Sequence, residues 1–168
     1  AELKSRYRCI APDCRAHGAS SYTDPFTVED MADDHKAVLD HLGIDSCHVV
    51  GLSMGGPIAL SLNARYPGVV KSLVLADSFA RIRPGGEDRI YATQEAVAYL
   101  SMLEFGSQYA GDRLMPTTDM DKLDELAAEI SKCPPKGYVE TVRAVFTHDS
   151  TGDLAKVGVP TVILIGDS

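Results

Sequence analysis

The apolar run Val49-Val50-Gly51-Leu52 passes directly into Ser53-Met54-Gly55-Gly56-Pro57 and then into Ile58-Ala59-Leu60. A chain with this order must leave a strand, reverse sharply and enter a helix within a few residues, which places Ser53 at the turn. Glycines at 51 and 55 are expected to remove side chains that would collide at the reversal, so that the serine hydroxyl projects above a sheet as a nucleophile. The backbone N–H of Met54 then becomes an oxyanion donor at the start of the following helix, where unpaired amides and the helix dipole favour developing negative charge. Pro57 is compatible with a first helical turn, because its missing N–H gives up no intrahelical bond there.

The flanking sequence supports a strand–helix alternation. Residues 7–11, Tyr7-Arg8-Cys9-Ile10-Ala11, read as a short strand stopped by Pro12. The polar loop 13–20 follows, and His17 within it reads as a loop-bracing hydrogen bonder. Thr27 and Asp30 form a capping-box pattern ahead of a helix whose face carries Val28, Met31, Val38, Leu39 and Leu42, with Gly43 ending it. His35 and His41 fall on or beside that helix as partly exposed surface residues. Strands are expected over 47–52, 72–76 and 159–166, with a helix over 55–65 between the first two, which implies a mostly parallel sheet flanked by helices. Between Asp77 and the last strand the spacing predicts three helices and no strand: 87–104, one beginning near Thr118 with Leu123, Leu126, Ala127 and Ile130 on one face, and one from Pro135 presenting Tyr138, Val142, Val145 and Phe146. In an open parallel sheet ligands bind beyond the carboxyl ends of the strands, so helices inserted there are placed to form a lid over Ser53.

Composition narrows the classes of function. At 168 residues and 45% hydrophobic content, the chain can build one core and is too short for two ordinary domains. A formal net charge of −8 disfavours nucleic acid and anionic membrane surfaces as partners and leaves small molecules. No apolar run has transmembrane length and the start lacks a signal-peptide pattern, so a soluble, cytoplasmic protein is expected. Cys9, Cys14, Cys47 and Cys133 form no CxxC pair and no metal-type spacing with histidine. Neither a zinc site nor a disulfide framework is therefore expected.

Four blocks together make the sequence resemble an α/β-hydrolase over essentially its whole length. Residues 7–20 resemble that family's fourth strand and its Asp-x-Arg-Gly-His-Gly-x-Ser loop, with Cys14 and Ala16 replacing the usual apolar residue and glycine. Residues 51–56 match the nucleophile elbow, 71–78 are similar to the sixth strand, and 154–167 to the approach and strand seven. The layout is most similar to 3-oxoadipate enol-lactonases and related small esterases. It implies a core over 1–80, a helical cap over 81–152 inserted after strand six, and a return to the core over 153–168. It also implies a serine hydrolase acting on a small carboxylic ester or lactone, without metal or cofactor, through an acyl-enzyme on Ser53. Alternatives on the same scaffold are a non-catalytic ligand-binding receptor and a perhydrolase or haloperoxidase.

The family order is serine, acid, histidine, with the acid usually three residues after the glycine that ends strand seven. That position would be 169, so the acid and the histidine are expected beyond Ser168 and the chain reads as an internal fragment that would be inactive alone. Asp77, at the end of strand six, is the alternative acid. None of His17, His35, His41, His48 and His148 matches the place of the catalytic histidine. Arg81 and Arg83, with Arg89 nearby, follow strand six and suit a carboxylate-bearing substrate, though such a run also reads as a solvated face.

Overall fold

The computed structural model describes residues 3–82 and 85–166. Three strands, β1 (Cys47–Leu52), β2 (Val70–Ala76) and β3 (Thr161–Leu164), form a parallel sheet in the order β1-β2-β3. The register pairs Val50 with Val74 and Val74 with Val162, and it pairs Leu52 with Ala76 and Ala76 with Leu164. Paired residues in a ladder share a face. One face therefore carries Val49 and the buried Leu73 against the helices, and the other carries the exposed Val50, Leu52, Val162 and Leu164.

Residues 7–11 do not form the expected strand. Their composition suits an extended chain, but among the described residues the sheet contains only β1, β2 and β3, so this segment has no ladder to join.

Helix α1 (Val28–His41) starts at Thr27 with the expected capping box: Thr27 Oγ1 accepts the Asp30 N–H, and the Asp30 carboxylate accepts the Thr27 N–H. Val28, Met31, Ala32 and Leu39 are buried on one face. Helix α2 (Gly55–Arg65) is buried continuously from Gly56 to Asn63, because the sheet covers one side and α1 covers another. A helix enclosed in this way needs apolar residues around most of its circumference, which Ile58, Ala59, Leu60 and Leu62 supply.

Asp33 ties α1 to the end of α2. Its carboxylate accepts from Arg65 Nε and Nη2 at 2.8 and 2.7 Å and from the Tyr66 hydroxyl at 2.6 Å. These hydrogen bonds, Arg65's foremost, hold the Asp33 carboxyl below its ordinary value. A carboxyl depressed in the folded state contributes stability that is complete above its unfolded pKa and is lost as pH falls through the folded one. The stability advantage of the native protein over Asp33→Asn should thus be constant near neutrality and shrink as pH falls below about 4. Urea unfolding of both proteins across that range checks it, and a gap independent of pH would contradict it. The group is partly exposed, so the advantage is modest.

Between β2 and β3 the described residues form four consecutive helices, α3 (Gly86–Tyr99), α4 (Met102–Arg113), α5 (Met120–Ser131) and α6 (Pro135–Thr147), and a short α7 (Thr151–Leu154) leads to β3. The single helix expected over 87–104 is broken at Leu100, which is extended, and Ser101 caps α4 by accepting the Glu104 N–H while Glu104 accepts the Ser101 N–H. Ala144 and Val145 of α6 belong to the main core with Val28, Met31, Ile58 and Leu73. Met102, Ile130 and Cys133 form a second cluster with Phe105, Tyr109, Leu126 and Tyr138 packed on it.

Candidate active site

Ser53 stands one residue beyond Leu52, at the carboxyl end of β1, with φ +50°. That left-handed conformation is costly for a residue with a Cβ and persists only where the surroundings hold it. Here the Ser53 N–H donates to the Ala76 carbonyl at 3.0 Å, while the Ser53 carbonyl accepts the Gly56 N–H at 3.0 Å and the Ser78 hydroxyl at 2.8 Å. The side chain is exposed, and its Oγ makes no hydrogen bond among the described residues. Met54 takes helical dihedrals, φ −60° and ψ −20°, as the N-cap of α2. Its N–H therefore lies at the start of the helix, where amides lack intrahelical acceptors and the dipole is positive.

The glycines act differently from the expectation. A Cβ on Gly51 would strike backbone: the Gly55 carbonyl oxygen, its carbon at 2.6 Å and the Gly56 nitrogen at 2.9 Å. A Cβ on Gly55 would meet nothing within 4 Å. The second close approach is at Gly56, where a Cβ would overlap Ser78 Oγ and lie 2.7 Å from Ser78 Cβ. The neighbour that decides between Gly55 and Gly56 comes from the end of β2, and the spacing of the motif does not contain it.

Asp77 is the second strained residue beside the elbow, at φ +42°, with its N–H donating to the Leu164 carbonyl at 2.8 Å. It follows Ala76, which pairs with Leu52, so Ser53 and Asp77 leave adjacent strands side by side. Both therefore lie at the carboxyl edge of the sheet, where ligands bind in open parallel folds.

Four of the five histidines are engaged elsewhere among the described residues. His17 Nδ1 lies 2.9 Å from the Arg15 carbonyl and its ring packs 6.1 Å from that of Tyr138, in keeping with a loop-bracing role. His35 Nδ1 lies 2.6 Å from the Met31 carbonyl, and His48 Nδ1 is 2.7 Å from Ser72 Oγ. His148 Nδ1 is 3.4 Å from Glu29 Oε1. His41 is exposed at the end of α1. Arg81 forms an antiparallel bridge with Asp149, and the Arg81 guanidinium lies 3.6 Å from the Asp149 carboxylate. Hydrogen bonds from Thr151 hold that carboxylate below its ordinary range. Arg83 lies outside the described residues.

Burial raises the Cys14, Cys47 and Cys133 thiols, which keeps them protonated, and all four cysteines are free. Among the described residues no group of three His, Cys, Asp or Glu side chains could hold a metal ion, and no helix is long and apolar enough to cross a membrane. A cleft of about 620 Å³ opens between residues 10–23 and α1, lined by Asp13, Arg15, Tyr22, Asp34 and His35 among others, with no residue of the elbow. Arg15 is already committed there to a two-pronged pair with Asp34, at 2.5 and 3.0 Å.

Comparison with known proteins bears on the fold. The family model for the alpha/beta hydrolase fold matches residues 1–98. A 3-oxoadipate enol-lactonase of Acinetobacter baylyi is 31% identical over 172 residues, covering 100% of this chain and 64% of its own length. A pimeloyl-[acyl-carrier protein] methyl ester esterase of Neisseria meningitidis is likewise 31% identical, over 98% of this chain and 66% of its own length. Among solved structures, a thermophilic esterase from Thermogutta terrifontis superposes with a TM-score of 0.86 at 26% identity, covering 98% of this chain and 63% of that one. The chain thus spans about 64% of the length of the enol-lactonase it matches. A strand-to-helix elbow, a parallel sheet with flanking helices and a family match over more than half the residues lead to one conclusion: this chain belongs to the alpha/beta hydrolase fold family.

Proposed function

We propose that this chain is the nucleophile-bearing part of a serine hydrolase that cleaves a small carboxylic ester or lactone. The observation that carries the reading is Ser53 itself, held at φ +50° between the end of β1 and the start of α2, with the Met54 N–H beside it. In the proposed reaction Ser53 Oγ attacks the carbonyl carbon and gives its proton to a histidine. The carbonyl oxygen becomes an oxyanion facing the Met54 N–H. The intermediate collapses, the alkoxide leaves with that proton, and water then releases the acid from the acyl-enzyme. For a lactone the leaving oxygen stays tethered to the acyl chain.

The histidine in this reading is none of the five in the sequence, and with the triad acid it comes from polypeptide outside these 168 residues. The 168-residue segment alone is accordingly expected to be inactive. Helices α3–α6 serve as the cap, and the kinship with an enol-lactonase and an ester esterase supports the substrate class. In the full-length protein a fluorophosphonate probe should add to Ser53 and fail to add to Ser53→Ala, as read by intact mass. No adduct on the native protein would instead favour a hydrolase-fold binding protein.

Arg81 and Arg83 are proposed to meet a carboxylate on the substrate, with Arg81 shared between that group and Asp149. Arg81→Ala should raise KM for anionic esters about three- to tenfold, the worth of one charged hydrogen bond at a partly exposed site, and leave neutral esters unchanged. Equal effects on both would remove the arginine from substrate binding.

A further inference from the structure

We infer that Ser78 is a positioning residue for the oxyanion donor, an assignment that rests on Ser53 being the nucleophile. The Ser53 carbonyl and the Met54 N–H belong to one peptide group. That group is planar and trans, so its C=O and N–H point in opposite directions and cannot turn independently. Two donors grip the carbonyl end: the Gly56 N–H at 3.0 Å and the Ser78 hydroxyl at 2.8 Å. Holding the carbonyl aims the Met54 N–H. The same two bonds polarise the amide, which strengthens its N–H as a donor to an anion.

The local sequence makes room for this grip. Asp77, at φ +42°, turns the chain as it leaves β2 and brings Ser78 over the first turn of α2. Gly56 vacates the place that Ser78 fills, since a Cβ on residue 56 would overlap Ser78 Oγ. Positions 56 and 78 therefore form one device although 22 residues separate them. The Gly56 bond is part of the turn into α2, whereas the Ser78 bond comes from the segment just beyond β2 and carries no helical hydrogen bond.

A positioning role and a merely structural one predict different kinetics. In the full-length protein Ser78→Ala should lower kcat about tenfold with KM within about twofold, a fraction of what losing a whole oxyanion donor costs. A trifluoromethyl ketone, which adds to Ser53 and carries an oxyanion, should bind about tenfold more weakly, in step with kcat. Ser78→Thr keeps the hydroxyl and should recover most of both losses. A lower melting temperature with kcat and ketone affinity unchanged would overturn the assignment, as would a rise in KM alone. Native protein and Ser53→Ala are run alongside with the fluorophosphonate probe. Labelling of the native protein but not of Ser53→Ala shows that a failed Ser78 result belongs to Ser78; absence of labelling in the native protein removes the nucleophile and the positioning role together.

Discussion

Ser53→Gly should abolish ester turnover and at the same time make the folded protein slightly more stable. In the proposed mechanism Ser53 Oγ is the attacking atom, and deleting a serine nucleophile costs about 10⁴- to 10⁶-fold in turnover in well-studied triads. The backbone effect has the opposite sign. A serine at φ +50° carries left-handed strain of about 1–2 kcal/mol that glycine does not. Glycine gives back roughly 0.4–1 kcal/mol through the greater freedom of its unfolded chain. At the middle of both ranges the remainder is about 0.8 kcal/mol in favour of Ser53→Gly, or about 2–3 °C in Tm for a protein of ordinary domain size. Ser53→Ala is the control, equally inactive but still strained, with no such gain. Initial rates on a p-nitrophenyl ester and a calorimetric scan of the three full-length proteins read both effects. Turnover above about one part in a hundred in Ser53→Gly would exclude Ser53 as the nucleophile.

Gly51→Ala should be the most damaging methyl group that can be added to the elbow. The new carbon would sit against the Gly55 carbonyl oxygen, 2.6 Å from its carbon and 2.9 Å from the Gly56 nitrogen. All three are backbone atoms of the first turn of α2, so no side chain can swing aside. Either β1 or the start of a helix buried along eight consecutive residues must move. Overpacking of this kind costs about 3 kcal/mol or more, which lowers Tm by about 6–12 °C. Displacing the Met54 N–H should also reduce kcat in whatever protein remains folded. Gly55→Ala supplies the contrast, because its Cβ would enter open space within the same motif. It should cost less than about 1 kcal/mol, the range of an ordinary surface substitution. Comparable losses from both substitutions would mean that the close approach at Gly51 is not what holds the elbow.

The elbow was legible because its signal is local: an apolar strand, a glycine-flanked serine and a helix share one window of sequence. The boundaries of β1 and α2 and the Thr27–Asp30 cap follow from patterns of the same short range. The break between α3 and α4 was equally local, since Ser101 and Glu104 spell a capping box inside the run that reads as one helix. Residues 7–11 show the limit of propensity, because an extended segment becomes a strand only where a neighbour offers a ladder. The choice between Gly55 and Gly56, and the pairing of Arg81 with Asp149, depend on residues 22 and 68 positions away in the chain. No periodicity in one sequence encodes such meetings.

Helix α6 is seated differently from its neighbours. A Cβ on Gly137 would lie 2.9 Å from a ring carbon of Tyr22 and would overlap the methyl of Ala16, so this helix rests directly on the loop that follows residues 7–11. Its other end is rooted in the main core through Ala144 and Val145. Among the described residues the α4–α5 hairpin packs instead through the second cluster around Met102 and Ile130, which Tyr138 of α6 also joins. Substitutions should therefore be tolerated unevenly along α3–α6. Substitutions in the turn between α4 and α5 should cost little while that small cluster is kept, whereas a side chain added at Gly137 should be accepted only with compensating changes at residues 16 and 22.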